Sequence, residues 1–513
     1  MSKRIVVNVG LLETRVAVQE GNLLTELYLE RHRHKSIVGS VSKGTVTNVL
    51  PGMQAAFVDI GLAKDAFLYA GDYTTNLAAP GQAPLTDADE DADPDAELDG
   101  DEEPRRPAAG PIEEMVSRGQ TVLVQVSKES LGTKGARITS FISLPGRYVV
   151  YMPHSRHIGV SRRIRDERER DRLRAALRSL DLPPGGFILR TNAEGKGEAE
   201  FAHDVAFLSR LWSQIQGRFE TATAPAVLHE EGDLTFRVVR DLFSPEVDEF
   251  VVDDHAVHDK VLGYVQTLVP ALADRVRLYR ERVPVFDAFG IEKDIEKALR
   301  RRVWLKSGGY IVIDHTEALV SIDVNTGKYV GKRDFEQTVL KINLEAVTEV
   351  VRQIRLRDLG GIIIIDFIDM EVLEHREQVY KAVKRALTED KARTNVLQIS
   401  ELGLVEMTRK RVRQDLRALL TQHCPTCRGT GVVKSNETLA TEIYRALQAR
   451  AAAEAPPGEG REIVARVNPD LAAYLNAEGQ ADLERLEAAL EVKITVQAAP
   501  GLAQREEYEL KVR

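Results

Sequence analysis

Four consecutive isoleucines, Ile362 to Ile365, stand between Gly360-Gly361 and Asp366, and no other stretch of the chain restricts the fold so tightly. β-Branched side chains favour extended backbone. An apolar run without alternation predicts a strand covered on both faces, as in the middle of a layered α/β sheet. The flanking sequence agrees: Tyr310–Asp314 and Ala318–Asp323 read as further strands, and Leu340, Leu344, Val347, Val351 and Ile354 recur at helical spacing before the glycine pair ends the helix. Residues 303–405 are therefore expected to alternate between strand and helix.

A chain of 513 residues is too long for one core and predicts several packed units. With 43% hydrophobic and 29% charged residues the composition is globular, which excludes a wholly disordered chain. Asn8, Glu13 and Arg15 interrupt the apolar run that a signal peptide needs, and no stretch approaches the ~18 apolar residues of a membrane span. The expectation is a cytoplasmic protein with no membrane partner. Between Asp87 and Glu103 lie eleven acidic residues and no basic one; setting them aside turns the net charge from −9 to +2, so the working surface need not be acidic.

Arg4–Val9, Thr14–Gln19 and Leu23–Glu30 read as a small antiparallel meander. From Gly39, β-branched residues alternate between glycine-marked turns, and the pattern resumes at Thr121–Ser127; a small barrel is expected, interrupted at residues 76–111 by an acidic, disordered insertion. Residues 147–178 are rich in arginine on an expected helix, and Phe187–Thr191 reads as a strand. Near the C-terminus, a helix at 436–455 precedes strands at 462–468 and 490–497 in a small α+β unit.

Asp323 and Asp366 each close an apolar strand, where a side chain meets solvent rather than core. Alternation along the strand puts Asn325 on the same side as Asp323, adding a neutral oxygen to whatever Asp323 binds. Two carboxylates and an amide suit Mg²⁺, a hard cation that keeps several waters and meets a substrate phosphate. Such an ion stabilises charge on a scissile phosphodiester and activates the attacking water. Strand-end aspartates also cap helices and line turns, and Asp369 is open between a supporting role and a plain turn residue. Gly327-Lys328 and Gly331-Lys332-Arg333 lack the spacing and hydroxyl of a P-loop.

Cys424-Pro-Thr-Cys427 is the whole cysteine complement, which argues against a disulfide framework. Structural zinc takes four ligands, so two thiols give a four-sulfur site only with a second, two-fold related chain. The alternatives are His423 as a ligand within the chain, or a redox pair. A redox CxxC opens a helix in a thioredoxin-like unit, for which the sequence offers no pattern. In the barrel, Phe57 and Phe67, with Lys43, Lys64, Lys128 and Lys134 nearby, suit RNA: rings stack bases and lysines meet phosphates. Either phenylalanine alone also suits a core.

Gly308-Gly-Tyr-Ile-Val-Ile-Asp314, Ile322-Asp-Val-Asn325, Arg355-Leu-Arg-Asp-Leu-Gly-Gly361, Ile365-Asp-Phe-Ile-Asp-Met370 and Cys424-Pro-Thr-Cys427 occur in this order. In these motifs the sequence resembles the bacterial ribonuclease E/G family, over nearly its whole length apart from the acidic insertion. The resemblance implies an endonuclease that cuts single-stranded RNA to 5′-phosphate and 3′-hydroxyl ends, in ribosomal RNA processing and messenger RNA decay. Asp323 and Asp366 match the magnesium-binding aspartates, with Asn325 beside them in the catalytic set. Cys424 and Cys427 match the pair by which two chains share one Zn²⁺, so a homo-oligomer, at least a dimer, is implied. Phe57, Phe67 and Lys134 match RNA contacts, and Arg190 and Thr191, with Gly146, Val150 and Arg162 around them, match a sensor for a 5′-monophosphate.

The implied fold class is multidomain α/β and α+β. Residues 1–37 with 232–283 would form an RNase H-like subdomain, 38–145 an S1-type OB-fold, 146–231 the 5′-sensor and 284–405 a DNase I-like catalytic subdomain. Residues 406–434 would form the zinc-link and 435–513 a small C-terminal oligomerisation domain. Two departures bear on substrate preference: the acidic insertion, and Ala66 where the S1 pattern has glycine. The chain runs only to Arg513 after the cysteines, so no long scaffold for other proteins is expected. A non-catalytic RNA-binding protein and a phosphoesterase for small esters are the rival readings. Carboxylates beside a polyanion count against the first, and an idle barrel against the second.

Overall fold

The computed structural model describes residues 2–33, 35–73, 110–130, 135–327, 335–397, 399–400, 403–411, 413–427, 429–453, 462–502 and 504–512. Apart from Gly110 and Pro111, the expected acidic insertion at 76–111 lies outside the described residues, as do Lys134 and the lysines after Gly327. The chain divides into two compact units, Met1–Leu419 and Leu420–Arg513.

In the first unit the amino-terminal strands Lys3–Val9, Glu13–Glu20 and Leu23–Arg31 form the expected meander. Two later strands, Glu249–Val252 and Val276–Leu278, extend it in parallel beside Lys3–Val9. A five-stranded barrel follows. Val41–Leu50 pairs with both Ala55–Asp59 and Thr121–Lys128, and the circuit closes through Ala66–Tyr69 and Arg137–Thr139. Val46, Val58, Leu68, Val124 and Ile138 fill its interior. Between the barrel and the sheet that holds the isoleucine run lies, in sequence, a four-stranded sheet, Ile158–Val160, Gly186–Leu189, Val149–Met152 and Leu144–Pro145 in spatial order, with helices Glu167–Arg178 and Glu198–Thr221.

The isoleucine run lies at the centre of a mixed sheet ordered Arg302–Trp304, Tyr310–His315, Leu319–Asn325, Gly361–Asp366, Leu404–Arg409 and Thr394–Val396. Leu319–Asn325 and Gly361–Asp366 are parallel, joined through the helix Phe335–Arg357. That helix ends where Asp358 and Gly361 take the left-handed backbone, with φ of 52° and 90°. The last pairing strand, Leu404–Arg409, continues past residue 405, so the sheet runs into the segment read as zinc-link.

Coverage of the isoleucines differs from expectation. Ile363 and Ile365 are fully buried against helices Phe335–Arg357 and Leu373–Ala386, whereas Ile362 is 49% exposed and Ile364 only half-buried. Both helices lie on one side, so the other face of the sheet is open, and it is this face that carries Asp323 and Asp366.

The second unit pairs Glu462–Val467 in parallel with Lys493–Ala498, and antiparallel with Tyr508–Val512, a strand that the sequence reading did not assign. Helices Pro469–Ala477 and Gln480–Leu490 connect the parallel strands, where one helix had been expected. Helix Asn436–Ala453 packs Leu439, Ile443 and Leu447 into the same core.

Candidate active site

Parallel pairing sets Asp323 directly opposite Asp366, with Ile322 opposite Ile365 one position earlier. The isoleucines face the core and the aspartates face outward, because side chains alternate along each strand. Asn325 Nδ2 donates to Asp323 Oδ2 at 2.7 Å, fixing one carboxylate oxygen. Burial raises the pKa of Asp366, and the charges of Asp323 and Asp369 raise it further. Three carboxylates thus press on one another, a field that a cation relieves. Among the described residues no group of three or more His, Cys, Asp or Glu side chains is gathered for a metal. The pair and its amide are a sparse oxygen set, which fits an ion that keeps most of its water.

Asn343 is a residue that the sequence reading missed. Fully buried on the helix Phe335–Arg357, it donates through Nδ2 to the Ile368 carbonyl at 2.8 Å and accepts from the Ile368 amide at 3.1 Å. Both bonds hold the segment between Asp366 and Asp369. The signal was legible: position 343 falls between Leu340 and Val347 on the apolar stripe, where a polar side chain requires a partner. Arg301 was also missed; it donates to both oxygens of Asp314, on the same open face, at 2.5 and 2.6 Å.

In the barrel, Phe57 and Phe67 are opposite one another on paired strands, their rings 6.0 Å apart and edge to face. Phe57, Asn48, Lys64, Asp65 and Gly135 line an open groove of about 440 Å³. Gly135 passes so close to the Asp65 carbonyl oxygen that a Cβ would meet it at 2.1 Å, so glycine is required beside that groove. Lys43 does not belong there. Its ammonium donates to the Phe219 and Ala222 carbonyls at 2.6 and 2.8 Å, at the C-terminal end of helix Glu198–Thr221, where a cation is favoured.

The arginine-rich region brings Gly146, Arg190 and Thr191 together. Arg190 donates to the Gly146 carbonyl at 2.7 Å and to Asp241 at 2.6 Å, and the Thr191 and Ser161 hydroxyls are 3.1 Å apart. Burial alone would raise the Asp241 carboxyl, but Arg190 and Arg240 outweigh it and hold it well below the usual range. Val150 is buried on the adjoining strand, and Arg162 is exposed beside Ser161. Asp241 is a further partner that no sequence signal announced.

In the second unit Cys424 is exposed and Cys427 half-buried, both free. Hydrogen bonds from the Cys427 and Thr426 backbone draw the Cys424 thiol down from its ordinary value, favouring the thiolate that zinc needs. His423 is not gathered with them into a three-ligand group among the described residues.

A carboxylate pair lies on an open sheet, with a closed barrel in the same compact unit, and the comparisons define the class of the protein as that of the endoribonucleases. The model described as the Ribonuclease E/G family matches residues 143–412, and that described as "RNase E/G, Thioredoxin-like domain" matches residues 423–512. The chain is 44% identical over 445 residues to Ribonuclease G of Escherichia coli (strain K12), covering 87% of each chain. It is 43% identical over 441 residues to Ribonuclease G of Haemophilus influenzae, covering 86% of each. To Ribonuclease E of Escherichia coli (strain K12) it is 36% identical over 494 residues, covering 94% of this chain and 44% of that one. The chain belongs to the ribonuclease E/G family. The thioredoxin-like description corrects the expectation that no such unit is present. Its strand pattern was masked because the third strand, Tyr508–Val512, is short and polar. The cysteines still do not open a helix, since the first helix of the unit begins at Asn436. No helix among the described residues is long and apolar enough to cross a membrane.

Replacing Asn343 by alanine is expected to leave the Ile368 amide and carbonyl unpaired. The expected result is a lower melting temperature, from a loss of about 1–3 kcal/mol, and ribonuclease turnover reduced by up to ~100-fold as the carboxylates shift. Turnover equal to that of the natural protein would show that the clamp does not set their geometry.

Proposed function

We propose that the protein is a Mg²⁺-dependent endoribonuclease that hydrolyses single-stranded RNA internally, leaving 5′-phosphate and 3′-hydroxyl ends. We place it in the cytoplasm, in ribosomal RNA processing and messenger RNA decay. The carrying observation is the register that sets Asp323 against Asp366 on the open face of the sheet, in a chain that shares its family with the ribonucleases G named above. When bound at these carboxylates, Mg²⁺ neutralises charge on a phosphate oxygen and lowers the pKa of water in its shell. The part played by the chain itself is positional. Asp323 and Asp366 hold the cation, Asn325 fixes the Asp323 oxygen, and Asn343 fixes the segment that follows Asp366. In the hydrolysis a water oxygen bonds to phosphorus and the bond from phosphorus to the 3′ oxygen breaks. The phosphate stays on the downstream fragment, and the 3′ oxygen leaves with a proton.

In this reading the closed barrel is an S1-type OB-fold that carries RNA across Phe57, Phe67 and Lys134. Residues 1–37 and 232–283 are RNase H-like, and 284–405 DNase I-like. Gly146, Val150, Arg162, Arg190 and Thr191 form the sensor of a 5′-monophosphate; supporting this, the Arg190 guanidinium donates to the Gly146 carbonyl, and the hydroxyl of the next residue, Thr191, pairs with that of Ser161. Two chains share one Zn²⁺ through Cys424 and Cys427. Supporting this are the lowered Cys424 thiol and the missing third ligand within the described chain.

The test is cleavage of end-labelled single-stranded RNA bearing a 5′-monophosphate, with Mg²⁺ or with EDTA. Internal cuts that require Mg²⁺, and that fall by at least ~10³-fold in Asp323→Asn and Asp366→Asn variants still able to bind RNA, are expected. Cleavage unaffected by EDTA would refute the reading. For the zinc, Cys424→Ser is expected to lose bound metal and to halve the solution mass measured by light scattering. A zinc-free dimer of the natural protein would contradict the shared site.

A further inference from the structure

The open face that carries the carboxylates also carries an aromatic platform. Cross-strand register places Trp304 opposite Tyr310, and Tyr310 opposite Asn325, in one row. The adjoining row on the same face runs Arg302, Val312, Asp323, Asp366. Trp304 is 61% exposed, and its ring centroid lies 5.3 Å from that of Tyr310. The Arg302 guanidinium sits 4.4 Å over the Tyr310 ring and 5.9 Å from that of Trp304. Among the described residues no carboxylate engages Arg302.

Neighbouring strands lie about 4.8 Å apart, so the Tyr310 ring stands one strand from Asn325 and the Trp304 ring two. An indole left mostly in water at the edge of a sheet forgoes the burial that tryptophan normally secures. A stacked, uncompensated guanidinium beside it matches a phosphate-bearing ligand better than an apolar one, which would bury that charge without a partner. An exposed indole, a half-buried tyrosine beside it and an arginine, within two strands of the site of chemistry, are what a single strand needs to seat one base flat while its phosphate meets the cation.

We propose that Trp304, Tyr310 and Arg302 form a base-stacking subsite for a nucleotide next to the scissile phosphate, with Arg302 engaging that nucleotide's own phosphate. The proposal rests on the reading of Asp323 and Asp366 as the cleavage site. Stacking offers no hydrogen-bond code, so the subsite prefers purines, the larger π surfaces, without demanding one base.

The experiment walks a single abasic nucleotide along a single-stranded RNA substrate of otherwise fixed sequence, on either side of one cleavage point, and measures kcat/KM with Mg²⁺. The natural protein is expected to lose about 5- to 150-fold at one position adjacent to the cut. In Trp304→Ala the rate on intact RNA falls by a similar factor and the sensitivity at that position disappears, while Trp304→Phe retains both. Equal sensitivity at every position, or Trp304→Ala cutting as the natural protein does, overturns the proposal. A parallel loss of solution mass in Trp304→Ala, with the positional profile unchanged, overturns it in favour of an interface between copies of this chain. Fluorescence gives a readout independent of cleavage. Trp304 and the buried Trp212 are the only tryptophans, so RNA added in EDTA should quench the natural protein but not Trp304→Phe. Quenching without any Mg²⁺-dependent cleavage would refute the cleavage reading while leaving the stacking contact intact; absence of quenching with cleavage preserved would do the reverse.

Discussion

Everything at this site depends on one pairing register. Five consecutive Cα partners join Leu319–Asp323 to Ile362–Asp366, and a slip of one residue would turn Asp366 into the core and Ile365 out of it. The fully buried Ile322, Ile363 and Ile365 prevent that slip, because each fills space against helices Phe335–Arg357 and Leu373–Ala386. Two strands held by apolar packing on one face therefore deliver two carboxylates, at a fixed separation, to the other. The mutual repulsion that results is tolerated because the core on the far side sets the backbone.

The same helix ties this sheet to the amino-terminal one. Arg355, almost fully buried, donates to Glu20 at 2.7 Å and Glu26 at 2.9 Å on two neighbouring strands. Burial alone would raise the Glu26 carboxyl, but Lys391 and Arg355 outweigh it and keep it ionised. At the helix end Arg409 bridges Asp358 and Asp390, at 2.6 and 2.7 Å. Removing one member of such a buried pair strands the other charge at about 3–5 kcal/mol, so these contacts specify how the sheets meet more than they add net stability. The placement of the carboxylates and the join between sheets thus share one helix.

Much of this was legible in the chain. The isoleucine run gave the central strand, helical spacing from Leu340 to Ile354 gave the crossover helix, and the strand ends gave Asp323, Asn325 and Asp366. The one-sided coverage of the sheet was not legible, because a run of four isoleucines looks the same whether its outward members face a helix or solvent. Partners chosen in three dimensions were also hidden: Asp241 for Arg190 is set by the packing of distant elements, and Lys43 was read as an RNA contact although it caps a helix from another part of the chain. Arg302 and Trp304 lay outside every motif, and only the register gathers them with Tyr310 beside Asp323 and Asn325.

The most direct measurement of the central claim is cation binding by Asp323 and Asp366 as a unit, with Mn²⁺ as a paramagnetic stand-in for Mg²⁺, titrated by electron paramagnetic resonance. The natural protein, Asp323→Asn, Asp366→Asn and the double variant close a cycle. Two ligands of one ion predict that each single substitution abolishes the same site and that the double variant loses nothing further, a strongly non-additive outcome. Binding that survives either single substitution, or losses that simply add, would contradict the account.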